Sequence, residues 1–305
     1  MTFWVILAGL MPSFALVGLG GLVRARLSVT AWQGLDRLNF EILFPALLFV
    51  AASSRPIELS AVAAVAPAVW ALLAAGLVAG YGARRFGPER FLDFAGAWQT
   101  AWRFNSALGI VAVGALSGAD PALMAVAIGM AVPLANVFAV SALSRGGSLG
   151  AWGTLRRIAL NPFLMASLAG VAVGVSGFGV PALVLAPLEL LAVAAIPIAL
   201  ISVGATMNWG ALARLDRFSA ILCGVKLVLL PSLGVGGALL LGATGPYVAV
   251  VVVFAALPTA SAAHVLASGF GADREIAATL VAQSTLLSAL TLPVWMLVAQ
   301  TVFLS

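Results

Sequence analysis

Two short groups of polar or helix-disturbing residues interrupt long apolar stretches of this sequence. They are Arg103, Asn105 and Ser106 in the first half, and Pro258, Thr259, Ser261 and His264 in the second. Proline removes a backbone donor and leaves a carbonyl unpaired, and Asn and Ser side chains compete with the backbone for its hydrogen bonds. Each group therefore predicts a helix broken near its middle. The ends of such half-helices carry free N–H groups and partial positive charge, which favour an anion such as a carboxylate.

The single residues of these groups also allow other interpretations. Pro258 could mark only a kink, with Ser and Thr bonding back to the backbone. Arg103 is a counter-charge for an anion, or it extends toward the lipid surface or a helix C-terminus. His264 carries protons near neutral pH, or it packs between helices with a bonded neighbour. Lys226, the only lysine, lies at the phosphate level, or deeper against broken-helix carbonyls or an acidic partner.

Two proline-containing segments repeat the same pattern in each half of the chain. Pro45 and Pro197 are expected to break or bend their helices as hinges. Glu41 and Glu189 precede these prolines and are expected near the membrane interfaces. Glycines such as Gly18, Gly20 and Gly21 are typical of close helix packing.

The sequence offers no pattern for catalysis. One histidine and one cysteine, Cys223, give no metal-ligand cluster and allow no intrachain disulfide. No nucleophile–base pair or phosphate loop is evident, so neither a metal nor a cofactor is expected. An intramembrane enzyme is therefore disfavoured.

The elements that hold these residues must lie in lipid. Hydrophobic residues make up 63% of the 305 residues and charged ones only 8%, with a mean hydropathy of +1.16. A soluble domain carries about a quarter charged residues. Ten apolar stretches are long enough to cross a bilayer as helices. The predicted spans are 3–23, 38–52, 60–81, 94–116, 122–143, 158–175, 183–207, 221–241, 247–270 and 276–303.

Positive charge predicts the orientation of these spans. Twelve arginines follow odd-numbered spans or precede even-numbered ones, whereas Arg55 stands alone on the other side. The net charge of +5 is thus explained by the positive-inside rule, without a nucleic-acid partner. Both termini are expected on the outer, periplasmic side of an inner membrane. The start of the chain is interpreted as the first span, not as a removed signal peptide.

An internal repeat relates the two halves. Residues 45–53 match 197–205 at an offset of 152, and residues 117–120 match 270–273 at an offset of 153. At the latter offset Asn105 coincides with Pro258. Five spans per half place the second half upside down, which is typical of transporters. The predicted units are residues 1–144, a cytoplasmic linker at 145–157, and residues 158–305.

Five segments of this chain resemble the auxin efflux carrier family in its short bacterial form. They are residues 38–49 and 196–205, with the two prolines, and residues 226–231, 257–267 and 284–288. The family includes carriers for malonate and related organic acids. The resemblance implies an all-α, ten-helix fold of two inverted five-helix repeats, like that of bile-acid and sodium–proton carriers. Helices 1, 2, 6 and 7 would form a scaffold. Helices 3–5 and 8–10 would form a moving transport domain in which helices 4 and 9 cross.

This chain departs from the family pattern at two positions, and these departures prevent a direct assignment of the substrate. The family usually has a proline near 109–111, and this chain has none; it often has an asparagine after the span-9 proline, where this chain has Ala262. Malonate and auxin are therefore not assigned from the resemblance. Arg103 or His264 would substitute for the missing amide, or the substrate would differ.

These observations predict a carrier for a small organic anion bound where spans 4 and 9 cross and moved by elevator-type alternating access. The alternative is a sodium- or proton-coupled symporter or exchanger on the same fold, which would need a carboxylate or carbonyl cage at mid-depth. No Asp lies inside a predicted span, which disfavours it. A non-transporting sensor is the remaining possibility. A homodimer through the scaffold helices is expected from the resemblance.

Overall fold

A computed structural model describes residues 2–53, 59–119, 121–145, 152–153, 156, 159–177, 179–210 and 215–304. Within these ranges the chain is helical and contains no β-strand. Most of the predicted linker lies outside the described residues, as do Arg55, Asp120, Arg157 and Arg214, so the predicted division into units remains a prediction.

The α-helices of the described residues are numbered here in chain order. They are α1 (Thr2–Val23), α2 (Val29–Leu38), α3 (Phe44–Ser53), α4 (Leu59–Tyr81), α5 (Phe91–Trp98), α6 (Ser106–Gly114), α7 (Pro121–Arg145), α8 (Pro162–Ser176), α9 (Ala182–Thr206), α10 (Arg217–Gly224), α11 (Leu230–Leu240), α12 (Pro246–Ala256), α13 (Ala262–Gly269) and α14 (Arg274–Val298). A π-helical turn at Asn39–Leu43 joins α2 to α3, another at Val225–Leu229 joins α10 to α11, and a third at Ala299–Phe303 follows α14. One turn of 3-10 helix, Gln99–Ala101, follows α5.

Five helical stretches among the described residues are long and apolar enough to cross a membrane. They are Ala63–Phe86, Val126–Arg145, Ala182–Thr206, Arg217–Leu240 and Arg274–Phe303. Predicted spans 4 and 9 fall short of that length because each is divided into two short helices, α5 with α6 and α12 with α13. The ten-span inverted layout therefore remains a prediction, while the all-helical apolar architecture is observed.

The helices pack most extensively in two groups. In the first group α1 and α3 pack against α9, and α3 also packs against α8. In the second group α4 packs against α7, and α12 packs against α11 and α14. These groups are called the first and second helix groups below. The last helix, α14, packs as extensively against α1 of the first group as against α12. The division into a scaffold and a transport domain remains a prediction.

Small residues set the closest approach in the first helix group. A Cβ atom on Gly20 would lie 2.0 Å from the carbonyl oxygen of Ile201, and one on Gly204 would lie 1.8 Å from that of Val17. The backbones of α1 and α9 therefore touch, as predicted for Gly20. Gly21 packs on the Trp209 ring, whereas Gly18 has open space around it.

Tryptophan side chains hold the segment that precedes the first helix break. Trp98 donates its indole N–H to the Leu77 carbonyl of α4 at 2.9 Å. Trp102 is fully buried and donates to the Ala135 carbonyl of α7 at 3.4 Å. A Cβ on Gly76 would lie 2.8 Å from the Ala101 carbonyl oxygen, so α4 lies directly against this segment. The break is thus fixed by packing on two sides.

Candidate functional site

Both predicted helix breaks are present, and they touch each other. The first helix stops at Ala101 and resumes at Ser106, and the second stops at Ala256 and resumes at Ala262. Asn105 and Leu257 have extended backbone conformations between the half-helices. The backbone N–H of Asn105 donates to the Pro258 carbonyl at 2.8 Å. The two residues that the internal repeat pairs are therefore in direct contact.

A second hydrogen bond ties the breaks together. The Thr259 hydroxyl donates to the Thr100 carbonyl at 2.8 Å. The Thr259 N–H donates to the Ser284 hydroxyl of α14 at 3.3 Å. Thr259 and Ser284 are both almost fully buried. The region where the two broken helices meet, residues 102–105 and 257–261, is called the crossover below.

The two half-helices that begin at the crossover differ at their N-termini. Asn105 caps α6, because its side-chain oxygen accepts from the Leu108 N–H at 3.2 Å. In contrast, α13 begins after Ser261 with no hydrogen bond from a capping side chain. N–H groups at a helix start need a partner from outside the helix. The start of α13 therefore lacks a side-chain cap, although the N–H groups of Ala263 and His264 already donate to the Ala260 and Ser261 carbonyls.

Two buried cations flank the crossover. The Lys226 side chain is 1% exposed and donates to the Ala255 carbonyl, at the end of α12, at 2.9 Å. Lys226 thus contacts a broken-helix carbonyl, which is one of the alternatives that the sequence leaves open. Arg103 is 5% exposed.

Arg103 is held by neutral amides. It donates to Asn136 Oδ1 at 2.8 Å and to Gln99 Oε1 at 3.5 Å. Among the residues that the structure describes, no carboxylate lies within 4.0 Å of Arg103 or of Lys226. The charge of each cation is therefore solvated by dipoles alone. An anion bound nearby would supply the missing counter-charge.

His264 lies in the first turn of α13, three residues after the crossover, and its side chain is fully buried in a cluster of polar groups. Its Nε2 atom is 3.4 Å from Asp36 Oδ1 and 3.5 Å from the Ser202 hydroxyl. Its Nδ1 atom is 3.2 Å from the Arg274 carbonyl oxygen. His264 thus links α2, α9, α13 and α14, and it does not replace the missing amide at the crossover.

The centre of this cluster is Asp36, which sequence reasoning missed. The carboxylate is 1% exposed and is 2.7 Å from Arg274 Nη2. It accepts hydrogen bonds from the Ser202 hydroxyl at 2.5 Å and the Ser268 hydroxyl at 3.1 Å. Asp36 precedes predicted span 2, but the helix begins at Val29 and continues through the π-helical turn into α3. A buried carboxylate is therefore present in a helix that continues into a predicted span.

The remaining predicted site residues lie elsewhere. Ser106 is half-buried in the first turn of α6. The helix α9 runs through Pro197 without interruption, and Pro45 lies in the first turn of α3 after the π-helical turn, so neither proline breaks its helix. Glu41 is exposed and pairs with Arg37 at 2.9 Å. Glu189 is also exposed.

Two cavities lie between the helix groups. One, of about 240 Å³, is apolar and lies between α1, α9 and α14, with Phe14, Val203 and Val281 among its walls. The other, of about 430 Å³, is open and lies beside Arg156 and Phe270.

Comparison with known proteins shows which family the chain belongs to. Over 297 residues, 92% of each chain, it is 30% identical to the protein of Rhizobium meliloti (strain 1021) named "Putative malonate transporter". The family model described as "Membrane transport protein" matches residues 152–296. The chain belongs to this family, the auxin efflux carrier family. An "Uncharacterized transporter" of Methanothermobacter thermautotrophicus is 30% identical over 146 residues, 47% of each chain. The chain is therefore a member of a membrane transporter family with several apolar helices, and its family and these relatives are not enzymes.

Proposed function

We propose that this member of the auxin efflux carrier family carries a small organic anion, bound through a carboxylate at the crossover. One observation supports this above the others: Arg103 and Lys226 are buried beside the crossover, and no described acidic side chain pairs with them. A charge buried at membrane depth is expensive and marks a functional site. A bound carboxylate would lower that cost by pairing.

The residues of the crossover have separate roles in this proposal. Next to the start of α13, Ser261 offers its N–H and hydroxyl groups to the anion, while Thr259 holds the two breaks together. Arg103 supplies charge, and Asn105 fixes the start of α6 next to Pro258. The name of the Rhizobium meliloti relative makes malonate the first acid to test on this chain.

Movement in this proposal is of the elevator type, in a ten-helix inverted repeat in the inner membrane with both termini outside. The second helix group carries the crossover and slides against the first. The partition of the packing into two groups supports this. The exposed apolar side chains of α9, such as Leu190 and Val193, offer a face for a second copy of the scaffold.

A proton-coupled symporter or exchanger is the second candidate, favoured by the buried Asp36 and His264. This candidate would be supported if the flux changes with pH and His264→Gln alters that pH dependence. The same pH dependence in wild type and variant would remove His264 from the coupling.

The first test is a thermal-shift panel of mono- and dicarboxylates on the purified protein and on Asn105→Ala. A ligand that binds only the folded state at a hundredfold excess over Kd stabilises it by about 2.7 kcal/mol. We expect one acid to raise the wild-type unfolding midpoint and the variant to lose this shift.

Loss of a helix cap alone destabilises a protein by about 1 kcal/mol, so a matched control is needed. Asn161 caps α8 in the same way, through the N–H groups of Phe163 and Leu164. Asn161→Ala should lower the midpoint but keep the shift. If sodium or a neutral or cationic solute stabilises the protein and no acid does, the anion proposal is wrong.

A further inference from the structure

A buried ionic cluster joins the two helix groups that the proposed movement separates. Asp36 lies on α2, which continues into α3 of the first group, and Ser202 lies on α9 of that group. His264 and Ser268 belong to α13, and Arg274 begins α14, on the side of the second group. Asp36 contacts Ser268, His264 and Arg274 across the two sides at 2.7–3.4 Å. Sliding of one group past the other must break them.

Among the described residues, two charged or titratable side chains face Asp36. Arg274 approaches from α14 at 2.7 Å, and His264 approaches from α13 at 3.4 Å. The hydroxyls of Ser202 on α9 and Ser268 on α13 also donate to the carboxylate. Arg37 and Glu41, close to it in sequence, are exposed and pair with each other. The Asp36 carboxylate therefore balances the charge of the Arg274 guanidinium, and the His264 imidazole is the other titratable group in contact with it.

Separation of this cluster is unfavourable while Asp36 is charged. The carboxylate is 1% exposed, so departure of Arg274 would leave an unpaired charge in a low-dielectric interior. Such a charge is strongly disfavoured and takes up a proton where it can. A neutral carboxyl group keeps its hydrogen bonds to Ser202 and no longer requires Arg274. A proton is thus the smallest ligand that releases the contact.

We propose that Asp36 is a proton-binding site of this carrier, and that its protonation releases the cluster so that the two helix groups can slide. The proton passes from water to a carboxylate oxygen of Asp36, and the charge of Arg274 is unchanged. The Arg274 side chain is 18% exposed, so the cluster reaches the protein surface at this residue. This inference rests on the proposed movement.

The cluster connects to the anion site through α13. The start of α13 lies at the crossover, and Ser268 follows Ala262 by six residues, about 9 Å along a helix axis. His264 contacts Asp36 from the turn between them. A short rigid helix therefore reaches from the anion site to the proton site. Release of the Asp36 contacts at one end of α13 would therefore change how freely the other end, at the anion site, can move.

The experiment follows opening of the interface without substrate. Ala278 is fully buried on α14 and packs with Val203 and Met207 of the first group. In a Cys223→Ser background, Ala278→Cys gives a single thiol that reacts with N-ethylmaleimide only when the interface opens. Rates are measured in liposomes between pH 5 and 8. Each rate is divided by that of the denatured protein at the same pH, which removes the pH dependence of the thiol.

We expect the normalised rate to rise by up to about tenfold per unit fall in pH, as for one bound proton. Asp36→Asn should label fast at every pH. Arg274→Gln should remain pH-dependent with its midpoint at higher pH, because loss of the cation makes the carboxylate take up a proton more readily. A purely structural contact would instead make both variants fast and flat. Arg37→Gln, which removes the neighbouring exposed cation, should follow the wild type.

A wild-type rate that does not change with pH, or an Asp36→Asn rate that follows the wild-type profile, would overturn the proposal. If Asp36→Asn does not fold, Asp36→Asn/Arg274→Gln removes both charges and is expected to label fast and flat. The anion-induced thermal shift, measured on the same Asp36 variants, should be retained because the crossover is unchanged. If no acid shifts the unfolding midpoint of the wild type, the anion proposal is wrong, whereas the labelling result remains a valid test of the Asp36 proposal.

Discussion

At the scale of single residues, the two buried cations have different partners and therefore different expected roles. Lys226 donates to a backbone carbonyl that the break of the helix leaves open, at 2.9 Å. Arg103 is held by the side-chain oxygens of Gln99 and Asn136. An ammonium group is a compact point charge, whereas a guanidinium group has a planar fork that matches a carboxylate. Arg103 is thus suited to the substrate and Lys226 to the helix end.

Arg103→Gln should abolish the anion-induced thermal shift while the unfolding midpoint of the empty protein stays unchanged or rises. Removal of a buried charge without a counter-charge relieves a desolvation penalty. Both quantities come from the same thermal-shift panel.

Lys226→Met is the matched comparison. It leaves the Ala255 carbonyl without its donor and should destabilise the empty protein by about 1–3 kcal/mol. If Arg103→Gln lowers the midpoint as much as Lys226→Met and still binds the acid, the assignment of the two roles is wrong.

The residues also show which features the sequence could predict. Asn105 and Pro258 were predictable because each interrupts an apolar stretch and the repeat places them at one offset. Asp36 was not, since it precedes the apolar run and has a polar neighbourhood like that of a surface helix. Its partner Arg274 lies 238 residues away in the sequence and belongs to the arginines that predicted the orientation. Only the fold brings the two charges together.

At the scale of the helices, the contact between α1 and α9 is set by backbone atoms. The Cβ positions of Gly20 and Gly204 fall on carbonyl groups of the opposite helix. Packing of this kind replaces the hydrophobic effect between helices in lipid. The sequence predicted close packing for Gly18, Gly20 and Gly21 alike, because composition does not tell which side of a helix meets a neighbour.

Gly204→Ala should lower the unfolding midpoint in detergent, because its Cβ would lie 1.8 Å from the Val17 carbonyl oxygen and 2.7 Å from the carbonyl carbon. Overpacking of this kind costs about 1–3 kcal/mol. Gly18→Ala is the control, since no atom lies within 4 Å of its Cβ position. Equal midpoints for the two variants would show that α1 and α9 do not touch as described.

At the scale of the whole molecule, the described structure is one arrangement of two helix groups. Contacts between the groups are polar at the Asp36 cluster and apolar around the cavity of about 240 Å³. The sequence predicted a division of the chain into two halves, because the internal repeat can be recognised in it. Sequence patterns did not predict this interface, because it forms between residues from four separate helices.

A metal bridge between the groups should stop transport. The Ser202 hydroxyl lies 3.5 Å from His264 Nε2, close to the roughly 3.5 Å between two ligands of a tetrahedral zinc ion. With Ser202→Cys in the Cys223→Ser background, micromolar Zn²⁺ should block flux of the transported acid in liposomes and leave its thermal shift unchanged. A chelator should restore flux.

Addition of His264→Gln to this variant removes a zinc ligand and serves as the control. Flux that continues at saturating Zn²⁺ in Ser202→Cys would argue against relative movement of α9 and α13.

Arg103 and Lys226 have a further consequence once the membrane potential is considered. Both belong to the helix group proposed to move, so the empty carrier would take two positive charges through part of the electric field. Each charge crossing the full field is worth about 2.3 kcal/mol per 100 mV. A dianion would cancel both charges on the loaded carrier. An inside-negative voltage would then pull the empty carrier inward without opposing its loaded return, and the cycle would favour export.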